Sequence, residues 1–117
     1  MTLPHRLLIP LSALAPALAC SAAPTWQQVQ PALEATCYEC HNAKKEKGGV
    51  NLESLAKNPA FEAEFALWDK VREVVADGSM PPEEADPLLE TEKTGLLAWV
   101  EESMNVLAAR NAGDPGP

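Results

Sequence analysis

Five residues, Cys37-Tyr38-Glu39-Cys40-His41, constrain this chain more than any other stretch. Their spacing is C-x-x-C-H, the pattern by which haem c is attached: both thiols bond to the porphyrin's vinyl groups and the adjacent histidine reaches the iron. The spacing has a local cause. Two cysteines one helical turn apart present both sulfurs to one edge of a flat ring, and the next residue swings its imidazole beneath the metal. With 117 residues in all the folded body is a single small domain with a modest core, and domains of this size usually need a staple such as a disulfide, a metal or a cofactor. The chain's 3 cysteines favour a cofactor over a disulfide framework.

Three other uses of the motif compete. A thioredoxin-like C-x-x-C calls for a βαβ context, and the pattern here is helical. A zinc site needs a fourth ligand, but outside the first two dozen residues the chain has no cysteine or histidine beyond Cys37, Cys40 and His41. A disulfide between Cys37 and Cys40 is strained by its short loop.

Residues 1–23 read as a secretory signal: a basic start at His5 and Arg6, an apolar run from Leu7 to Leu18, then small residues. The run is broken by Pro10 and Pro16 and is too short to span a membrane. Cleavage is expected after Ala19 or near Ala22 or Ala23. The first choice leaves Cys20 at the new N-terminus, a candidate lipid anchor, although Ala17-Leu18-Ala19-Cys20 places leucine two residues before the cysteine where bacterial lipoproteins place it three before. The expected location is therefore periplasmic or exported, with a membrane-tethered lipoprotein as the variant.

The net charge is -8, and loss of Arg6 with the signal makes the body more acidic still. Such a surface repels phosphate backbones, so nucleic acid is excluded as a partner, and a protein that docks electrostatically should offer a basic patch.

Residues 24–110 form the expected domain, and helical periodicity organises it. Thr25-Trp26-Gln27-Gln28 has the form of a capping box, with Val29, Leu33 and Thr36 or Cys37 following at helical spacing. Pro31 leaves two starts open, at Gln30 with Pro31 in first position or at Thr25 with a tolerated kink. Residues 42–59 are polar and aperiodic, a loop. A second helix should bury Phe61, Phe65, Trp68 and Val75 and end at Gly78. Thr91 is expected to cap a third, with Leu96, Val100, Ser103 or Met104, and Leu107 on its apolar face. Glu92 and Arg110 suit that helix's dipole. Residues 111–117 read as a disordered tail or the start of a linker. No strand alternation is found, so the fold class is all-α.

A second axial ligand is sought among the methionines. Met80 lies in a loop, and Pro81-Pro82 after it push its backbone toward an extended form and stiffen the segment that would hold sulfur over iron. Met104 is the rival, but it falls on the apolar face of the third helix and reads as core packing. Trp68 and Trp99 read as ordinary core, with packing on the haem as the alternative. With His41 and Met80 both bound, the iron keeps no vacant site. The chemistry then reduces to single-electron transfer with a moderately positive potential, and the chain is not an enzyme.

The residues resemble a known group, the small cytochrome c domains of planctomycete-type and related bacterial exported proteins. The likeness runs from about Val29 to Leu107. It includes Pro31-Ala32-Leu33, the C-x-x-C-H run, Lys47-Gly48-Gly49-Val50-Asn51-Leu52, Trp68-Asp69-Lys70-Val71, Gly78-Ser79-Met80-Pro81-Pro82 and Leu97-Ala98-Trp99-Val100. The resemblance implies a cytochrome c-like fold of about three helices around one covalently bound haem, with thioethers at Cys37 and Cys40, proximal His41 and distal Met80. It also implies that the loop carrying Gly48, Gly49 and Leu52 lies along one haem edge, although Asn51-Leu52-Glu53 departs from the leucine-aspartate the family often shows. In that group the haem domain is often the N-terminal part of a larger protein.

The expected function is electron transfer with redox partner proteins, after maturation by the haem-attachment machinery. The alternatives are an N-terminal redox module of a larger exported enzyme, and a haem sensor or peroxidase-like protein from which Met80 departs readily.

Overall fold

The computed structural model describes residues 22–113, together with residues 2, 4 and 8–13. Cys20 and most of the expected signal lie outside the described residues, as do residues 114–117 of the expected tail. Among the described residues there are three α-helices, α1 (Trp26–Thr36), α2 (Phe65–Ala76) and α3 (Glu90–Ala112), with 3-10 turns at Lys47–Gly49 and Glu53–Leu55 and no strand. The described residues are all-α, and none of the described helices is long and apolar enough to cross a membrane.

Of the two starts open to α1, the structure takes the one at Thr25. The Gln28 side chain accepts the Thr25 N–H at 2.8 Å, and the Thr25 carbonyl accepts the N–H groups of Gln28 and Val29 at 3.0 and 3.2 Å. Pro31 is accommodated inside the helix. The helix buries Trp26, Val29, Ala32 and Leu33 on one face, at the spacing a 3.6-residue repeat requires.

The second helix starts later than its periodicity suggests. Ala60 stands at φ +45° and residues 61–64 form a turn, so α2 begins only at Phe65. This corrects the expected burial of Phe61 and Phe65. Phe65 is 41% exposed and meets Phe61 edge-to-face at the first turn of the helix, while Phe61 packs at the border of the core against Trp99. Trp68 and Val75 are buried as expected.

The third helix starts one residue before Thr91, which therefore caps nothing. Leu89 holds the N-cap position, and Glu92 reaches back to accept its N–H at 2.9 Å. A carboxylate in the first turn serves both the free amide and the dipole. Leu96, Trp99, Val100 and Leu107 are buried, and Met104 packs against the core cluster. The helix runs through Asn111 and Ala112, so the first residues assigned to the tail are helical. Near its end Arg110 meets Glu62 at 3.6 Å, an exposed pair that contributes little.

Both α1 and α2 pack on α3, and the core between them is built on three indoles. Trp26 stands 5.5 Å from Trp68 and 4.8 Å from Trp99, and Trp68 stands 5.0 Å from Trp99, ring centre to ring centre. The two edge-to-face contacts, both made by Trp68, suit the ring quadrupoles, while Trp26 and Trp99 meet tilted. Two of the indoles also tie down the polar loop: Trp26 donates its Nε1–H to the Ala56 carbonyl at 2.9 Å and Trp68 donates to that of Pro59 at 2.8 Å. The loop between α1 and α2 is thus irregular in backbone yet held at fixed points, and it closes over the end of α1, where the C-x-x-C-H motif begins.

Candidate haem-attachment site

The motif starts where α1 stops. Both Cys37 and Tyr38 donate their N–H to the Leu33 carbonyl, at 2.7 and 3.1 Å, and the Cys37 carbonyl then accepts Cys40 and His41 at 3.2 and 3.0 Å. These two bonds wind Cys37 to His41 into one further helical turn. The turn brings two free, partly buried cysteines and the histidine together. Tyr38, between the cysteines, is buried in the core and anchors the turn from inside.

Burial pushes the Cys37 thiol up to about 11, so at neutral pH it is a protonated, poorly nucleophilic thiol. The Nδ1 atom of His41 is buried and has no hydrogen-bond partner among the described residues. A buried polar nitrogen left without a partner costs about 1–3 kcal/mol. The donor set is suited to a haem: two thiols of the kind that can add to vinyl groups, and an imidazole, a common axial ligand of haem iron.

The following loop is docked onto this turn through backbone bonds. The Cys40 carbonyl accepts the Lys47 N–H at 3.1 Å, and the His41 carbonyl accepts those of Leu52 and Glu53 at 2.9 and 3.1 Å. Leu52 is buried in the core, so hydrophobic burial delivers its amide to His41. Glu53 bonds here through its backbone, which is indifferent to the side chain. Glycine is required at Gly48 and Gly49, at φ +66° and +75°, where a β-carbon is strained.

Met80 stands on the turn that ends α2. Gly78, at φ +83°, reverses the chain as the expected C-cap glycine. The Ser79 amide and hydroxyl both bond to Asp77 Oδ1, and the Met80 N–H returns to the Val74 carbonyl at 2.9 Å. The backbone at Met80 is thus well held while its side chain is 39% exposed. Of the two methionines weighed as ligands, Met104 is the one packed against the core cluster. Cys37, Cys40 and His41 share the turn that follows α1, and Met80 stands on the turn that follows α2. Asn42 carries no distinguishing spacing in the sequence; the Asx turn it makes by accepting the Lys44 and Lys45 N–H groups at 3.0 Å is visible only in the structure.

An all-helical domain that gathers two free thiols and a ring nitrogen in need of a partner on one turn has the features of the haem-binding class of redox proteins. Residues 37–84 match the family model described as Planctomycete cytochrome C, which supports the resemblance read from the motifs and suggests a haem-binding redox role. The match runs from the first attachment cysteine past Met80 and is narrower than the likeness read from Val29 to Leu107. No match to this chain was found among curated proteins or among solved structures.

Proposed function

We propose that the chain is an exported electron carrier that holds one haem c covalently through Cys37 and Cys40, with His41 and Met80 as axial ligands. The observation that carries this reading is the turn that juxtaposes two free thiols with the imidazole of His41. In attachment, each S–H adds across one vinyl double bond: sulfur bonds one vinyl carbon, the hydrogen goes to the other, and nothing is oxidised. When bound, the haem supplies an iron that gains and loses one electron. His41 and Met80 then hold both axial positions, and methionine opposite histidine raises the potential. The net charge of -8 supports redox partners with a basic docking face. The N-terminal pattern supports export to the periplasm, with Cys20 as a lipid anchor if cleavage falls after Ala19.

The test is expression in a bacterium with haem-attachment machinery, followed by a denaturing gel stained for haem and absorption spectra of both oxidation states. Haem that stays with the denatured chain and a low-spin histidine–sulfur spectrum are expected. A chain without haem, from cells that mature a control cytochrome, returns Cys37 and Cys40 to thiol chemistry.

Met80 is tested separately. The Met80→Ala variant should keep its covalent haem and bind carbon monoxide that the unaltered protein excludes. If its ligation is unchanged, Met104 becomes the candidate. If the unaltered protein itself binds carbon monoxide readily, the sensor or peroxidase-like reading replaces electron transfer; the exposure of Met80 is the observation that keeps this reading in play.

A further inference from the structure

Every main-chain carbonyl from Cys37 to Asn42 has a partner. Those of Cys37, Cys40, His41 and Asn42 accept backbone amides from Cys40 and His41, from Lys47, from Leu52 and Glu53, and from Glu46 respectively. The two in the middle of the motif, those of Tyr38 and Glu39, are taken by one side chain: Asn42 Nδ2 donates to them at 2.6 and 3.0 Å. The other end of the same amide, Oδ1, accepts the N–H groups of Lys44 and Lys45, each at 3.0 Å. The orientation of the amide is decided by its surroundings, because carbonyls only accept and amide N–H groups only donate; a flipped Asn42 would lose all of these bonds.

We propose that Asn42 is the positioning residue for His41. It stands next to His41 in the chain and pins the carbonyls of Tyr38 and Glu39 in the turn that carries Cys40 and His41, so the backbone carrying the imidazole has one conformation. The donor half of the amide fixes the attachment turn, and the acceptor half starts the chain on its way to Lys47. This rests on the haem-binding reading, since the purpose of the arrangement is to hold the ring at one angle beneath the iron.

The experiment compares Asn42→Ala, Asn42→Asp and Asn51→Ala with the unaltered chain by NMR. Aspartate keeps the acceptor half and loses the donor half. Asn51 is a control of the same kind, a local cap that accepts the Ser54 N–H at 3.1 Å but touches neither Tyr38 nor Glu39. In the haem-loaded, oxidised protein the hyperfine shifts of the haem methyl groups report the angle of the axial imidazole plane. In the haem-free chain the three-bond couplings of His41 report whether its first side-chain torsion holds one rotamer.

Both Asn42 variants should retain covalent haem, move the methyl pattern and release His41 into rotamer averaging, whereas Asn51→Ala should leave both readouts in place. Unmoved readouts in Asn42→Ala, unaltered behaviour of Asn42→Asp, or an equal change in Asn51→Ala would each overturn the proposal. A wild-type chain that carries no haem sinks the haem-binding reading instead, and the His41 couplings then decide by themselves whether Asn42 positions the ring.

Discussion

A chain with serine at both Cys37 and Cys40 should lose all haem on a denaturing gel, while each single variant should keep a single thioether and a reduced yield. The hydroxyl of serine matches the thiol in size but does not add to a vinyl group under the conditions of haem attachment, so the bond is absent. Local structure should survive, because the motif turn is closed by main-chain bonds among Leu33, Cys37, Cys40 and His41 and neither sulfur takes part in them. The measurement is haem stain normalised to total chain, with far-ultraviolet circular dichroism on the same samples. Haem that persists through denaturation in the double variant would show that the attachment lies elsewhere. Loss of helix together with loss of haem is a different result: it would mean that the domain needs its cofactor to fold, as small cores often do.

The second large effect concerns stability. Trp68→Ala should cost about 3–5 kcal/mol from the loss of a buried aromatic and the cavity left behind. Trp68 has 0% exposure, touches both other indoles of the core and donates to the Pro59 carbonyl, which the substitution strands. Native stabilities are about 5–15 kcal/mol, so this one side chain accounts for a large share. For a domain of this size the loss corresponds to a fall in Tm on the order of 15–30 °C. Val106→Ala, at a side chain 52% exposed, should change stability by no more than about 0.5 kcal/mol. Thermal unfolding of both variants decides the matter; similar Tm values for the two would mean that the indole cluster is not the core. Trp68→Phe separates the terms, since it keeps much of the apolar volume and removes only the bond to Pro59.

These predictions differ in how far the sequence alone supports them. The cysteine prediction rests on a spacing visible in the bare sequence, because covalent chemistry depends on residue type and local turn geometry and needs little tertiary information. Trp68 was legible as a core residue from its helical period, but its partners were not: Trp26 precedes it by most of the polar loop, and the carbonyls of Ala56 and Pro59 that the two indoles hold come from a segment with no period at all. The same limit explains Phe65. Periodicity assigns a face to every apolar residue of a helix, yet a residue in the first turn, at the edge of the packed region, is left exposed even when the period points it inward. Thr91 failed as a cap for a related reason: a capping preference names residue types, and the true start depended on Glu92 reaching the Leu89 amide.

The motif turn and the all-helical class are readable from residue order alone. C-x-x-C-H, the capping-box form at Thr25 and the apolar repeats of the second and third helices are short-range patterns, complete within one or two turns of chain. Tertiary structure alone decided which carbonyls hold the motif rigid, which aromatic rings meet, and that Leu52 is buried where its amide reaches His41. Those are contacts between segments remote in sequence, selected by competition among buried areas and unpaired backbone groups, and they exist only once the helices have packed.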